Sequence, residues 1–306
     1  MGTPEFAQYV LSVLVERGYN IVGVVTMPDK PAGRGNKLQQ SAVKRFAVDH
    51  GLKLLQPERL KDEQFLEQLR SLEADLQVVV AFRMLPEVVW TMPRCGTFNL
   101  HASLLPQYRG AAPINWAIIN GETRTGVTTF MLRHQIDTGD MILQESIPIG
   151  EEDDAGTIHD RLMTLGAELV CRTIDMIEQG KLQTTPQPTL PEDQMRPAPK
   201  IFTETCQIDF GRTAREVHNL VRGLSPHPAA WCMLNLGGEL RQVKIYKTAI
   251  STAPVGDTAI GDIQTDGKRY LRVRCKDAML DIVELQLPAK KRMNIKDALN
   301  GLKLNN

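Results

Sequence analysis

The chain has 306 residues, long enough for two domains that each bury a core. Lys plus Arg number 36 and Asp plus Glu number 36, so there is no net charge, and any nucleic-acid partner must be met by a local basic patch. The 5 cysteines (Cys95, Cys171, Cys206, Cys232, Cys275) form no Cys-x-x-Cys pair, which argues against a zinc or disulfide framework and for a reducing, cytoplasmic setting. No apolar run approaches a membrane span, and no export leader is expected.

The first half alternates helix and strand signals, the pattern of a parallel sheet with crossover helices. Phe6, Val10, Val13 and Leu14 predict a helix over 4–17. A doubly wound domain calls for an apolar strand ahead of it, and Met1-Gly2-Thr3 reads instead as a loop. Strands are expected at 21–26 and 52–55, and helices at 41–50 and 62–72. The continuous apolar run Val78 to Phe82 fits a strand buried on both faces.

The next strand, expected over 97–103, carries the strongest signal. Side chains alternate between faces, so Phe98, Leu100 and Ala102 point into a core while Asn99, His101 and Ser103 line the other face. Buried polar groups are costly unless they are hydrogen-bonded or used. Pro106, which has no N–H, is expected to end the strand. The loop Gln107 to Pro113 adds a cation, Arg109, and a glycine, Gly110. A polar row at the carboxyl end of such a sheet is where open α/β folds bind ligands.

A helix follows over 113–120, then strands at 127–132 and 141–147 flanking Asp137-Thr138-Gly139-Asp140. Residues 157–179 form a long amphipathic helix with Ile158, Leu162, Leu165 and Leu169 along one side. Residues 186–200, rich in proline, read as a linker. Beyond them, a helix over 213–222 and short strands at 231–236, 243–249, 259–264, 270–274 and 279–286 suggest a small β-barrel. The expected architecture is a doubly wound, mostly parallel α/β domain over 1–185 and a smaller, OB-like barrel over 201–306.

The run Asn99-x-His101-x-Ser103-Leu104-Leu105-Pro106, with Tyr108-Arg109-Gly110-Ala111-Ala112-Pro113 and Asp137-Thr138-Gly139-Asp140, resembles the folate-dependent formyltransferases. Gly2-Thr3-Pro4-Glu5-Phe6-Ala7, residues 28–35 and Pro226-His227-Pro228 support the likeness, which runs nearly the whole length. It departs at the amino end and at Phe82-Arg83-Met84, where many relatives carry Tyr-Gly. The resemblance implies transfer of a formyl group from 10-formyltetrahydrofolate to the α-amino group of methionine on initiator tRNA. Asn99 and His101, roughly 6–7 Å apart along one face, would serve the formyl oxygen, and Asp137 would orient His101 and manage a proton. Ser103, Leu104, Leu105 and Pro106 would line the folate cleft. No metal is implied, and a cytoplasmic monomer is expected.

Lys30, Arg34 and Lys37, with Lys44 and Arg45 nearby, correspond in the resemblance to a loop that grips the tRNA acceptor end through phosphates. Lys268, Arg269, Arg272, Arg274 and Lys290 to Arg292 form a second basic set that could face tRNA. Asp137-Thr138-Gly139 also looks like an aspartic-protease triplet, but that chemistry needs two such carboxylates and the chain has one copy. Gly33-Arg34-Gly35 fails as a dinucleotide fingerprint, because position 38 is Leu. Two rivals are a formyltransferase acting on a small amine, which needs no basic loop, and an inactive RNA- or folate-binding protein on the same scaffold.

Overall fold

The computed structural model describes residues 1–32 and 37–302. The chain folds into two compact units that interleave along the sequence. One unit takes residues 1–110, 126–147 and 159–196, and the other takes 111–125, 148–158 and 197–306.

The first unit holds α1 (Glu5–Glu16), β1 (Val24–Val25), the hairpin β2 (Lys30–Ala32) and β3 (Lys37–Gln39), and α2 (Ala42–Asp49). Then come β4 (Leu54–Leu55), α3 (Glu63–Arg70), β5 (Gln77–Val80), α4 (Glu87–Trp90) and β6 (Thr97–His101). Ser41 and Asp62 cap α2 and α3 by accepting from the Lys44 and Phe65 amides, as short polar N-caps do. β1 pairs β4 in parallel, and β5 pairs β6 in parallel.

The two parallel pairs are joined by the first two residues. Val80 N–H donates to the Met1 carbonyl, Gly2 N–H donates to the Val25 carbonyl, and Gly2 bridges Val80 in parallel. Residues 1–2, read as loop from sequence, therefore take the strand position that a doubly wound sheet requires between β1 and β5. A Cβ on Gly2 would lie 2.7 Å from the Val80 carbonyl oxygen, so only glycine fits there.

The chain continues through α5 (Pro113–Ile119), β7 (Arg124–Met131), β8 (Met141–Pro148) and α6 (Ala155–Glu178). β7 runs antiparallel to β6 and has β8 on its other side, so the sheet is mixed at this edge. Val25, Leu55, Phe65, Leu69, Val79 and Val89 form one core layer. On the other face α6 lies against β6: a Cβ on Gly166 would meet Leu100 Cδ2 at 2.8 Å.

The second unit adds α7 (Ala214–Leu224), β9 (Ala230–Leu236), β10 (Glu239–Ile250), β11 (Ile263–Thr265), β12 (Leu271–Arg274), β13 (Met279–Gln286), β14 (Met293–Asn294) and α8 (Ile295–Asn300). Its six strands form one antiparallel sheet in the order β11-β12-β13-β10-β9, with β14 on β13. Alternation along β9 buries Cys232, Leu234 and Leu236 while Met233 and Asn235 face out. These pack with Val217, Val221 and Leu224 of α7, whose start carries a Thr213–Glu216 capping box. β14 and α8 had no counterpart in the sequence reading. The expected 113–120 helix belongs to this unit as α5, where Asn115 donates to the Gly223 carbonyl at 2.7 Å.

One expectation needs correction. The strand at 97–103 ends at His101, well before Pro106. Its last partner, Thr128 of β7, turns its hydroxyl onto the next segment, donating to the Ser103 carbonyl at 2.7 Å and accepting from Leu105 N–H at 3.3 Å. A side chain thus replaces the ladder and folds the chain away. The 186–200 stretch, expected as a linker, bonds back to the loop after β6. Tyr108 N–H donates to the Arg196 carbonyl, and Gln107 bonds the backbone of Gln194 and Arg196.

Candidate active site

β6 positions the first two groups. Phe98 and Leu100 are buried in the core, and Asn99 and His101 share the opposite face, as alternation predicts. The Asn99 side chain is half-buried and makes no hydrogen bond with the described residues, so its amide N–H groups are unspent. His101 is buried, with Nε2 2.8 Å from the Tyr108 carbonyl. A carbonyl only accepts, so Nε2 carries a proton and the ring turns its other nitrogen, Nδ1, to the opposite side.

Nδ1 faces Asp137 Oδ2 at 3.8 Å. Asp137 sits in the loop between β7 and β8, whose base is closed by Met131 N–H donating to the Asp140 carbonyl. The loop folds tightly there: a Cβ on Gly139 would lie 1.6 Å from the Met131 carbonyl oxygen. Asp137 itself has φ +54°, the left-handed region that non-glycine residues rarely occupy. Its Oδ2 accepts from Gly110 N–H at 3.0 Å, while Oδ1 has no hydrogen-bond partner among the described residues. Gly110, at φ +126°, gives the loop after β6 the conformation that aims this amide at the carboxylate. An unspent carboxamide, an imidazole held through Nε2 and an anchored carboxylate therefore gather at one strand end. Asp137 faces an imidazole and not a second carboxylate, which removes the aspartic-protease reading.

Ser103 departs from the expected polar row. It is fully buried, and its hydroxyl donates to the Gln107 carbonyl at 2.7 Å. Because the strand has already ended, strand alternation no longer governs where this side chain points. Leu105 and Pro106 are buried as well, and Leu104 is half-buried. Gln144 of β8 steadies the segment through the Leu105 carbonyl and Thr128 Oγ1. At the atypical Phe82-Arg83-Met84 stretch, Arg83 donates to the Glu58 carbonyl at 2.7 Å and to the Pro57 carbonyl, and Met84 is exposed.

The basic candidates divide. Lys30 is exposed on β2, Arg34 lies outside the described residues, and Lys37 enters only through the backbone of β3. Lys44 is taken up by Asp29 at 2.6 Å. In the second unit Arg269, Arg272 and Arg292 pair with Asp266, Asp281 and Glu284. Arg272 also lies over the Tyr270 ring and Arg292 over Tyr246. Three cations of the second basic set are thus paired with carboxylates of their own unit. Among the described residues no three His, Cys, Asp or Glu side chains converge as a metal site, and no helix is long and apolar enough to cross a membrane.

Comparison with known proteins bears on what this arrangement does. The sequence profile described as formyl transferase matches residues 1–174, and the profile of the formyl transferase C-terminal domain matches 200–303. The chain belongs to the formyl transferase family. Within that family it is 57% identical to the methionyl-tRNA formyltransferase of Bacteroides fragilis, across 99% of this chain and 94% of that protein. It is 58% identical to the one of Parabacteroides distasonis, with the same coverage. The fold also resembles WlaRD, a sugar 3N-formyl transferase solved with dTDP and 5-N-formyl-THF, at TM-score 0.67 and 19% identity over 95% of this chain and 97% of that one. Formyl transferases of this family use 10-formyltetrahydrofolate as the one-carbon donor.

Sequence reasoning missed four contributors here: the Tyr108 carbonyl, the Gly110 amide as an Asp137 anchor, Thr128, and Gln187, which reaches both Arg109 and the Asp137 loop. The first two lie inside the quoted loop motif, but backbone groups leave no trace in residue type. Thr128 reads as an ordinary strand residue, and Gln187 lies in a stretch without periodicity.

Proposed function

We propose that this protein transfers the formyl group of 10-formyltetrahydrofolate to the α-amino group of methionine on initiator tRNA, for translation initiation. The observation that carries this reading is the His101–Asp137 pair beside the unspent Asn99 carboxamide, in a chain 57–58% identical to methionyl-tRNA formyltransferases.

The chemistry follows from those three groups. The acceptor nitrogen attacks the formyl carbon, and negative charge builds on the formyl oxygen. The Asn99 N–H donates to that oxygen, a hydrogen bond that strengthens as the charge develops. As the new C–N bond forms, the attacking nitrogen sheds a proton to the His101–Asp137 pair. As the bond to N10 breaks, N10 takes a proton from the same pair. The Nε2–H bond to Tyr108 leaves Nδ1 as the working nitrogen, and the Asp137 carboxylate stabilises the imidazolium that forms.

Ser103, Leu104, Leu105 and Pro106 form the folate wall, with Leu104 the least buried of them. Lys30, Arg34 and Lys37 anchor the acceptor end of the tRNA by phosphate contacts. Residues 1–185 serve as the catalytic domain, 186–200 as the connection and 201–306 as an OB-like domain that helps hold tRNA. The protein works as a cytoplasmic monomer without a metal. The deciding experiment offers formylated folate with methionine-charged initiator tRNA, uncharged tRNA or small amines such as an amino sugar nucleotide. Transfer to the charged tRNA alone is expected. Preference for a small amine would leave the chemistry standing and overturn the acceptor.

A further inference from the structure

Gln187 lies in the proline-rich stretch that reads as a linker, yet its carboxamide is fully engaged beside Asp137. Its Oε1 accepts from Arg109 Nε at 3.2 Å and from Arg109 Nη2 at 2.6 Å. Its Nε2 donates to the carbonyls of Asp137 and Gly139, each at 2.8 Å. A guanidinium offers only donors and a carbonyl only accepts, so the amide fits in one orientation.

Two features of the site depend on a group of this kind. Asp137 sits in the left-handed region, where a residue with a Cβ stays only if its surroundings hold it. The two N–H bonds from Gln187 grip the carbonyls on either side of Thr138 and fix that turn. Arg109, half-buried, is close enough for its charge to feel Asp137, yet the two form no ion pair. The guanidinium aims its Nε and one Nη2 donor at Gln187 instead.

We propose that Gln187 is a positioning residue for formyl transfer, whose single carboxamide fixes the backbone carrying Asp137 and holds Arg109 away from the Asp137 carboxylate, leaving that carboxylate to His101. This rests on the reading of Asn99, His101 and Asp137 as the formyl-transfer site.

The test uses the full chain with Gln187→Leu, which keeps the bulk and removes every polar contact, and Gln187→Glu, which keeps the acceptor for Arg109 but cannot donate to the two carbonyls. For Gln187→Leu, kcat should fall about ten- to a hundred-fold, the weight of one or two hydrogen bonds near charge. KM for both substrates should stay within about two-fold, as for a group that acts only on the reacting geometry. Two readouts do not need turnover: modification of Arg109 by phenylglyoxal, and hydrogen exchange of the 134–140 segment. Both should rise in Gln187→Leu. In Gln187→Glu exchange should rise while Arg109 stays protected. An unchanged kcat in Gln187→Leu, or a KM that rises as much as kcat falls, would overturn the proposal, as would Arg109 reactivity and loop exchange that match wild type. If wild type itself transfers no formyl group, the site reading fails, whereas labelling and exchange still judge the clamp.

Discussion

Replacing Asp137 with Asn removes one negative charge and almost no volume. The Asn oxygen can still accept from Gly110 N–H, which now lies 3.0 Å from Asp137 Oδ2, so the loop keeps its anchor. What is lost is the attraction between the carboxylate and the imidazolium that forms on His101 as the reaction proceeds. The two groups are 3.8 Å apart and their side chains are only 7% and 13% exposed, so solvent screening is weak. At that distance and an effective dielectric near 20, the attraction is about 4 kcal/mol. Expressed in the barrier, this is about a 10³-fold loss of rate, inside the ~10²–10⁴-fold range of positioned acid–base groups. Stopped assays with charged initiator tRNA should show kcat down by about three orders of magnitude with KM for folate and tRNA little changed. A kcat within ten-fold of wild type would refute the claim that Asp137 supports proton transfer through His101.

Gly139→Ala should drive a Cβ into the Met131 carbonyl, whose oxygen stands 1.6 Å from the ideal position; the Asp137 loop must shift, so kcat should fall at least ~100-fold, and thermal melting should report a loss of about 1–3 kcal/mol, the cost of forced overpacking. His218, buried between Thr248 Oγ1 and the Glu151 carbonyl, has its pKa lowered from 6.5 chiefly by burial, so the unfolded state binds the proton more readily and stability present above pH ~6.5 is lost as pH falls through the folded value. Its Gln variant should flatten that acid-side loss in melting curves taken between pH 8 and 5; an unaltered slope would exclude the histidine as its source. Replacing Lys30, Arg34 and Lys37 by Ala should weaken tRNA binding and reduce the slope of log affinity against log salt by about 0.7–0.9 for each phosphate left without its cation, read by filter binding across a salt series. Equal slopes would make the loop a solvated surface.

Local pattern carried a large part of this protein. Apolar spacing placed α1, α2, α3, α6 and α7 within a few residues of their ends, because an amphipathic face and a Ser, Asp or Thr cap are written in adjacent positions. Strand alternation put Asn99 and His101 on one face of β6 and Phe98 and Leu100 on the other. That Asp137 belongs with them came from the resemblance to the folate-dependent formyltransferases, carried by Asp137-Thr138-Gly139-Asp140, and not from spacing.

The tertiary structure decided the rest, because the deciding contacts join residues far apart in sequence or use backbone groups that every residue carries. The end of β6 at His101 was set by the Thr128 hydroxyl, 25 residues from the Ser103 carbonyl to which it donates, which no local count can foresee. The leading strand position went to Met1 and Gly2 because Val25 and Val80 offered free ladder groups on both sides. Gln187 reached Asp137 and Arg109 across 50 and 78 residues of chain, from a segment whose prolines announced only a connection. The sheet brings these groups within hydrogen-bond range, and only the folded chain, in which the buried polar groups must find partners, selects which ones meet.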